Sequence, residues 1–232
     1  MRINAFDDLH RKPIMNGTPA PELDSLLLSC CRATGLDGAG VSIVDGDGTR
    51  EPLYASDEVA TVIERLQLTL GEGPCVELAR TGTPVLVADL TDPRDVLPRR
   101  WPVFRSEATK AGARAIFAFP IRIGAIWLGA VDFYRQTPGP LGHREVSTAL
   151  SWVDEVGLAV LEAPNYYGDP EAPITASMLV HRAAGMVMAQ LNSSIEEAMI
   201  RLRATAFADG LTLNELAAHV VNGRRRFSKE PQ

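Results

Sequence analysis

The spacing of apolar residues changes character repeatedly along the chain, and each change marks an element. PELDSLLLSCCRAT (21–34) places apolar residues at helical intervals and stops at Gly35, so it predicts a helix. GAGVSIVD (38–45) is β-branched and bounded by glycines and the turn-rich DGDG, with REPLYAS returning: strand, hairpin turn, strand. DEVATVIERLQLTL (57–70) is amphipathic at helical period, with Asp57 as its N-cap. LGEGPCVELARTGTPV (70–85) reads as a glycine-rich connection holding a short helical turn, and PVLVADL (84–90) as a buried strand. Residues 91–112 read as loop then helix. ARAIFAFPIRI (113–123) and AIWLGAVDFYR (125–135), joined at Gly124, form a central hairpin.

LGHREVSTALSWVDEVGLAVLEA (141–163) is a long helix with Val146, Leu150, Val153, Gly157 and Val160 at 4, 3, 4, 3 spacing. Such a seam suits either packing on the sheet or pairing with a second copy. Pro164, Gly168, Pro170 and Pro173 then break the pattern, marking 163–173 as a linker. Beyond it every signal is helical. One helix runs to about Gln190 with Thr175 as its cap. Ser193 or Ser194 with Glu196 or Glu197 opens a second that stops near Gly210, and Thr212 with Glu215 opens a third that ends at Gly223. The fold class is α+β with an appended helical bundle, and residues 1–20 are a lead-in.

Composition changes this picture little: 46% hydrophobic and 22% charged residues fit a globular chain of 232 residues. No apolar stretch approaches the ~20 residues a membrane span needs. The start, MRINAFDDLHRKPIMNG, has acids and a basic pair where a signal peptide needs an apolar centre, so a cytoplasmic protein is expected, with no membrane partner. Cys30, Cys31 and Cys75 are an odd set without zinc spacing, which fits a reducing compartment and predicts no metal site. Charge matters more. Residues 1–172 hold 16 Lys and Arg against 24 Asp and Glu, whereas residues 173–232 hold 7 against 5. The excess of two cations admits an anionic partner for the C-terminal part.

Residues 21–162 resemble a GAF domain, on LGEGPCVELARTGTPVLVADL and the hairpin AIFAFPIRIGAIWLGAVDFYR between two flanking helices. Residues 174–228 resemble an ANTAR domain, on VHRAAGMVMAQL, IEEAMIRLRATAFADG and TLNELAAHVV. The first resemblance implies a small-molecule-sensing antiparallel sheet flanked by helices. The second implies a three-helix RNA-binding module of bacterial antitermination regulators. Together they imply a signal-responsive regulator that binds paired stem-loop RNA to control transcription antitermination or translation. Two stem-loops call for two readers, so a homodimer is expected, through the 141–163 helix, the ANTAR helices or both.

The residues expected at the RNA are His181, Arg182, Ala183, Gly185, Arg201, Arg203, Arg224, Arg225 and Arg226. Arginines neutralise phosphates, and small residues let the bases of a loop reach the backbone. Most have a second reading, for the arginines a solvated face. Ala183 and Gly185 also suit close helix packing, Arg201 has Glu197 one turn earlier, and the triple arginine also reads as a flexible basic tail. Phe207, at helical spacing from Ala198, Leu202 and Ala206, reads as core. Where the ANTAR pattern often carries a lysine, this chain has Ala184.

For the sensor half, the resemblance implies a pocket between the sheet and the loops DLTDPRDVLPRRWPVF and LGEGPC. Its lining and ligand are not readable, and no cofactor is identified. His143 falls at a helix start and reads as surface, and Cys75 as a small buried apolar residue. There is no Ser/His/Asp order and no paired carboxylate in a recognisable frame, so no catalytic residue is expected and the chain does not read as an enzyme. The alternative is a GAF-fold redox enzyme or thiol sensor whose helical tail serves dimerisation.

Overall fold

Pro21 at the start and Gly35 at the end bound the first helix, α1 (Pro21–Thr34), with Gly35 in the left-handed conformation at φ +66°. The structure is a computed structural model and describes residues 21–44, 50–92, 94, 100–162 and 176–228. The lead-in 1–20, the DGDG turn, most of 93–99, the linker 163–173 and Thr175 lie outside the described residues. The chain divides into two compact units, one holding the described residues up to 162 and the other those from 176 onward.

The N-terminal unit is built on five antiparallel strands in the order β2-β1-β5-β4-β3, the fold class expected of it. These are β1 (Gly38–Val44), β2 (Arg50–Ala55), β3 (Val85–Val87), β4 (Ala115–Ile123) and β5 (Ile126–Arg135). Asp57 caps α2 (Glu58–Leu70) by accepting from the Ala60 N–H at 2.9 Å. The expected single turn after Gly73 is a full helix, α3 (Pro74–Thr81), with Pro74 at its first position and Gly82 closing it at φ +70°. β3 is shorter than its apolar run, because Asp89 accepts from both the N–H and the hydroxyl of Thr91 and turns the chain out of the sheet. α4 (Pro102–Ala111) and α5 (His143–Glu162) complete the unit.

Strand alternation assigns the two faces. Ala39, Val41, Ile43, Phe117, Phe119, Ile121, Val131 and Phe133 form one core with Leu23, Leu27, Cys30 and Cys31 of α1 and Ala149, Val153, Val156 and Val160 of α5. Thus Val153 and Val160 of the expected seam pack on their own sheet. So does Gly157, where a Cβ would lie 3.2 Å from Ile121 Cγ2. Leu150, Leu158 and Leu161 of α5 are exposed. The opposite face, covered by α2, presents Gly40, Ala118 and Asp132 side by side, since Asp132 of β5 is paired with Gly40 of β1 and with Ala118 of β4.

The C-terminal unit is a bundle in which α6 (Ala176–Leu191), α7 (Ile195–Asp209) and α8 (Leu213–Val221) all contact one another. Ser194 caps α7 by accepting from the Glu197 N–H, and Gly210 closes it at φ +66°. At α8 the capping box of Thr212 and Glu215 is formed in both directions. Its core is Val180, Ala183, Ala184, Val187 and Leu191 of α6 with Ala198, Leu202, Ala206, Leu213, Leu216, Ala217 and Val220. No helix of the described residues is long and apolar enough to cross a membrane.

Candidate functional site

Helix α6 separates its residues cleanly by face. Val180, Ala183, Ala184, Val187 and Leu191 follow the 3–4 spacing of a buried stripe. On the other side Met178, Arg182, Gly185 and Ala189 follow the same spacing, all exposed except Gly185, which is half-buried, with His181 and Met188 exposed beside them. The row of small residues in HRAAGMVMAQL therefore has two separate meanings. Ala183 and Ala184 are fully buried and let α7 and α8 come close. The burial of Ala183 supports its packing reading and withdraws its methyl from any flat outward surface. Gly185 is the reverse: a Cβ added there meets nothing within 4 Å, so packing within the bundle does not require glycine.

The arginines differ as much. Arg182, Arg201, Arg224, Arg225 and Arg226 are exposed. Arg225 has Asp209 at 3.4 Å, an exposed pair of the kind worth ~0–1 kcal/mol. Among the described residues no ion pair joins Arg201 to Glu197, although both lie one turn apart on α7. Arg203 is drawn inward: its Nε is buried without a hydrogen-bond partner, and burial lowers its pKa from the usual guanidinium value. The triple arginine is anchored. The N–H groups of Arg224 and Arg225 donate to the His219 carbonyl, and the Phe227 N–H donates to Gln190 Oε1 at 2.8 Å. That last bond ties the run to the end of α6, ~12 Å along the helix axis from Arg182. Phe207 is half-buried rather than core.

A second site lies inside the N-terminal unit, where sequence reasoning expected only apolar packing. Cys75 is fully buried, but its neighbours are polar. Its Sγ donates to Asp132 Oδ2 at 2.6 Å and its N–H to Gln67 Oε1 at 2.8 Å, while Gln67 Nε2 donates to the same carboxylate oxygen. Glu64, also fully buried, stands beside them with both carboxylate oxygens lacking a hydrogen-bond partner. Arg50 Nη2 approaches one of them at 3.6 Å. Burial first, and then the charge of Asp132, raise the Glu64 pKa well above the ordinary carboxylate range. Burial likewise raises the Cys75 thiol. Two carboxyl groups 68 residues apart in the chain, in no recognisable sequence frame, are thus brought side by side. One signal for them was legible: Ala60, Ile63, Glu64 and Gln67 share the buried stripe of α2, and two of the four are polar.

His143 is exposed at the start of α5. Cys30 and Cys31 are buried thiols in α1, and burial pushes them up to about 11 and about 12 respectively. Of the two loops expected to cover a ligand pocket, residues 93 and 95–99 fall outside the described residues.

Comparison with known proteins bears on both units. Residues 19–160 match the GAF domain family, and residues 174–221 match the ANTAR domain family. No curated protein matches the chain by sequence. Among solved structures, the chain is similar to the GAF domain region of a Geobacter sulfurreducens PCA protein. That match has 18% identity and a TM-score of 0.50, covering 68% of this chain and 96% of that one. It is also similar to GAF3 from Slr1393 of Synechocystis sp. PCC6803 in its photoproduct state, at 16% identity, TM-score 0.46, 61% of this chain and 92% of that one. A type II free methionine-R-sulfoxide reductase from Thermoplasma acidophilum matches at 9% identity and TM-score 0.40, over 67% and 94% of the two chains.

Proposed function

The chain belongs to the GAF domain family and carries an ANTAR domain behind it, and from that premise we propose that it is a cytoplasmic regulator whose helical unit binds paired stem-loop RNA. GAF and ANTAR are regulatory rather than catalytic families, so the two domains make the protein a signal-responsive regulator. The observation that carries the RNA reading is the outward face of α6. Arg182 stands one turn from a glycine whose Cα side is open, with exposed arginines on α7 and in the anchored run after α8. Guanidinium groups hold the phosphates flanking a loop, and the bare helix surface at Gly185 admits an unstacked base to the backbone.

A motif of two stem-loops is engaged by two copies of the chain. The exposed Leu150, Leu158 and Leu161 along α5 supply the pairing surface, so that a signal received by the GAF domain changes how the two ANTAR domains are presented. Occupancy of the RNA then selects between terminator and antiterminator, or masks a translation start. The thiol-enzyme reading is disfavoured by chemistry: all three cysteines are buried and held as thiols, whereas redox cysteines are exposed and of low pKa.

The experiment is a competition, at fixed salt, between a two-stem-loop RNA and duplex DNA of equal length for the full chain. Preferential retention of the RNA is expected. Equal or better retention of the duplex makes the bundle a DNA-binding helical module instead.

A further inference from the structure

The cluster around Cys75 is polar where an apolar core would be more stable. The sheet floor is made of small residues, Gly40 and Ala118, on either side of Asp132. At Gly40 a Cβ would fall 2.6 Å from Glu64 Oε1, so the glycine is what lets the Glu64 carboxylate sit against the sheet. Gly73, at φ +126°, closes the other side: a Cβ there would lie 2.7 Å from Gln67 Cγ. The result is one donor atom each from Glu64, Cys75 and Asp132, all within 4.8 Å of one another and all buried. Both Glu64 oxygens and Asp132 Oδ1 have no hydrogen-bond partner. Arg50, 3.6 Å from Glu64, supplies one positive charge for two buried carboxyl groups, so both ionise only when a further cation joins them, and without one the Glu64 carboxyl has Asp132 alone to share a proton with.

We propose that Glu64, Cys75 and Asp132 form a binding site for a divalent transition-metal ion, of the Zn²⁺ or Co²⁺ class, inside the GAF domain. The donor set selects that class: a thiolate among the ligands disfavours Mg²⁺ and Ca²⁺, and two carboxylates with one sulfur suit a borderline ion. Charge closes as well. Two carboxylates and a thiolate carry three negative charges, which Arg50 and a divalent ion together neutralise. When the ion binds, the S–H bond of Cys75 and the O–H bond of the Glu64 carboxyl both break, the two protons pass to the solvent buffer, and lone pairs of the sulfur and the carboxylate oxygen form the bonds to the metal. Tetrahedral Zn–S and Zn–O lengths of ~2.3 and ~2.0–2.2 Å need sulfur and oxygen ~3.5 Å apart, so Sγ and Asp132 Oδ2 separate by about 1 Å from their hydrogen-bonded spacing. Gln67, already bonded to Asp132 and to the Cys75 N–H, holds two of the three donors in place as a positioning residue. No fourth His, Cys, Asp or Glu joins the group among the described residues, which leaves a coordination position for water or a small ligand.

The test uses the full chain stripped with chelator and titrated with Co²⁺, then Zn²⁺. One Co²⁺ per chain is expected, with a thiolate-to-cobalt charge-transfer band that Zn²⁺ displaces. Cys75→Ala should abolish the band, while Cys30→Ser with Cys31→Ser retains it. Glu64→Gln and Asp132→Asn, checked for native circular dichroism, should each weaken Zn²⁺ binding more than a hundredfold. A folded wild-type chain without the band overturns the proposal and leaves the carboxylates as a proton-sharing pair. A band lost only with Cys30 and Cys31 overturns it equally. Metal uptake is read on the sensor unit and RNA retention on the helical unit, so the two readings fail separately.

Discussion

Replacing Gly185 with alanine separates folding from RNA binding on the same atom. Glycine inside a helix costs about 1 kcal/mol relative to alanine, because the unfolded chain has more freedom to lose. At this position nothing lies within 4 Å of the added methyl and the backbone is ordinary helix, so no steric cost offsets the gain. Gly185→Ala should therefore stabilise the helical unit by about 1 kcal/mol, which raises its Tm by roughly 4–8 °C for a domain of this size. If the bare surface is where a base rests, the same methyl intrudes on the contact. Overpacking of a fitted contact costs about 1–3 kcal/mol, and 1.4 kcal/mol is tenfold in affinity, so RNA binding should weaken roughly tenfold or more. Thermal unfolding by circular dichroism reads the first effect, and fluorescence anisotropy with a labelled two-stem-loop RNA reads the second. A higher Tm with affinity unchanged within twofold refutes the use of this face. A lower Tm means that a second subunit already covers it.

Three further outcomes follow from the same structure. Thr212→Ala removes the side-chain half of the α8 capping box, leaving the backbone N–H of residue 212 to donate to Glu215, and should destabilise the helical unit by about 1 kcal/mol, seen as a lower urea midpoint at unchanged m-value. Asp209→Asn frees Arg225 from its exposed partner; RNA affinity should rise modestly and its salt dependence steepen, whereas a weaker complex would mean that the pair positions the arginine run. Cys30 and Cys31, held up to about 11 and about 12, stay protonated across pH 7–9, so native protein should resist iodoacetamide there and react only once unfolded; rapid native labelling would revive a thiol-based activity.

How far the sequence revealed these features depended on the range of the interactions behind them. Helix limits were legible because caps are local: Asp57 to Ala60, Ser194 to Glu197 and Thr212 to Glu215 each span three residues. The hairpin at Gly124 and the five-stranded sheet followed from apolar runs with turn residues between them. The division of Ala183 from Gly185 did not. Three consecutive small residues span most of a helical turn and carry little contrast in hydropathy, so only packing against α7 and α8 decides which of them is covered. The seam on α5 was visible, but whether it met a sheet or a second copy was not. Most of it met the sheet, with Leu150 alone of the seam left exposed, beside Leu158 and Leu161, which lie off it. The Glu64–Cys75–Asp132 cluster was hidden for a related reason: its members come from a helix, a second helix and a central strand, brought together only by pairing across the sheet.

The claim on which the functional account turns is that the outward face of α6 holds RNA through Arg182. Crosslinking the intact chain to cellular RNA and sequencing what is retained, beside an Arg182→Glu variant of the same fold stability, tests it most directly. The account predicts that paired stem-loops are enriched by the wild-type chain and lost with the variant. Equal recovery from both proteins, or no enriched transcript from either, would contradict it.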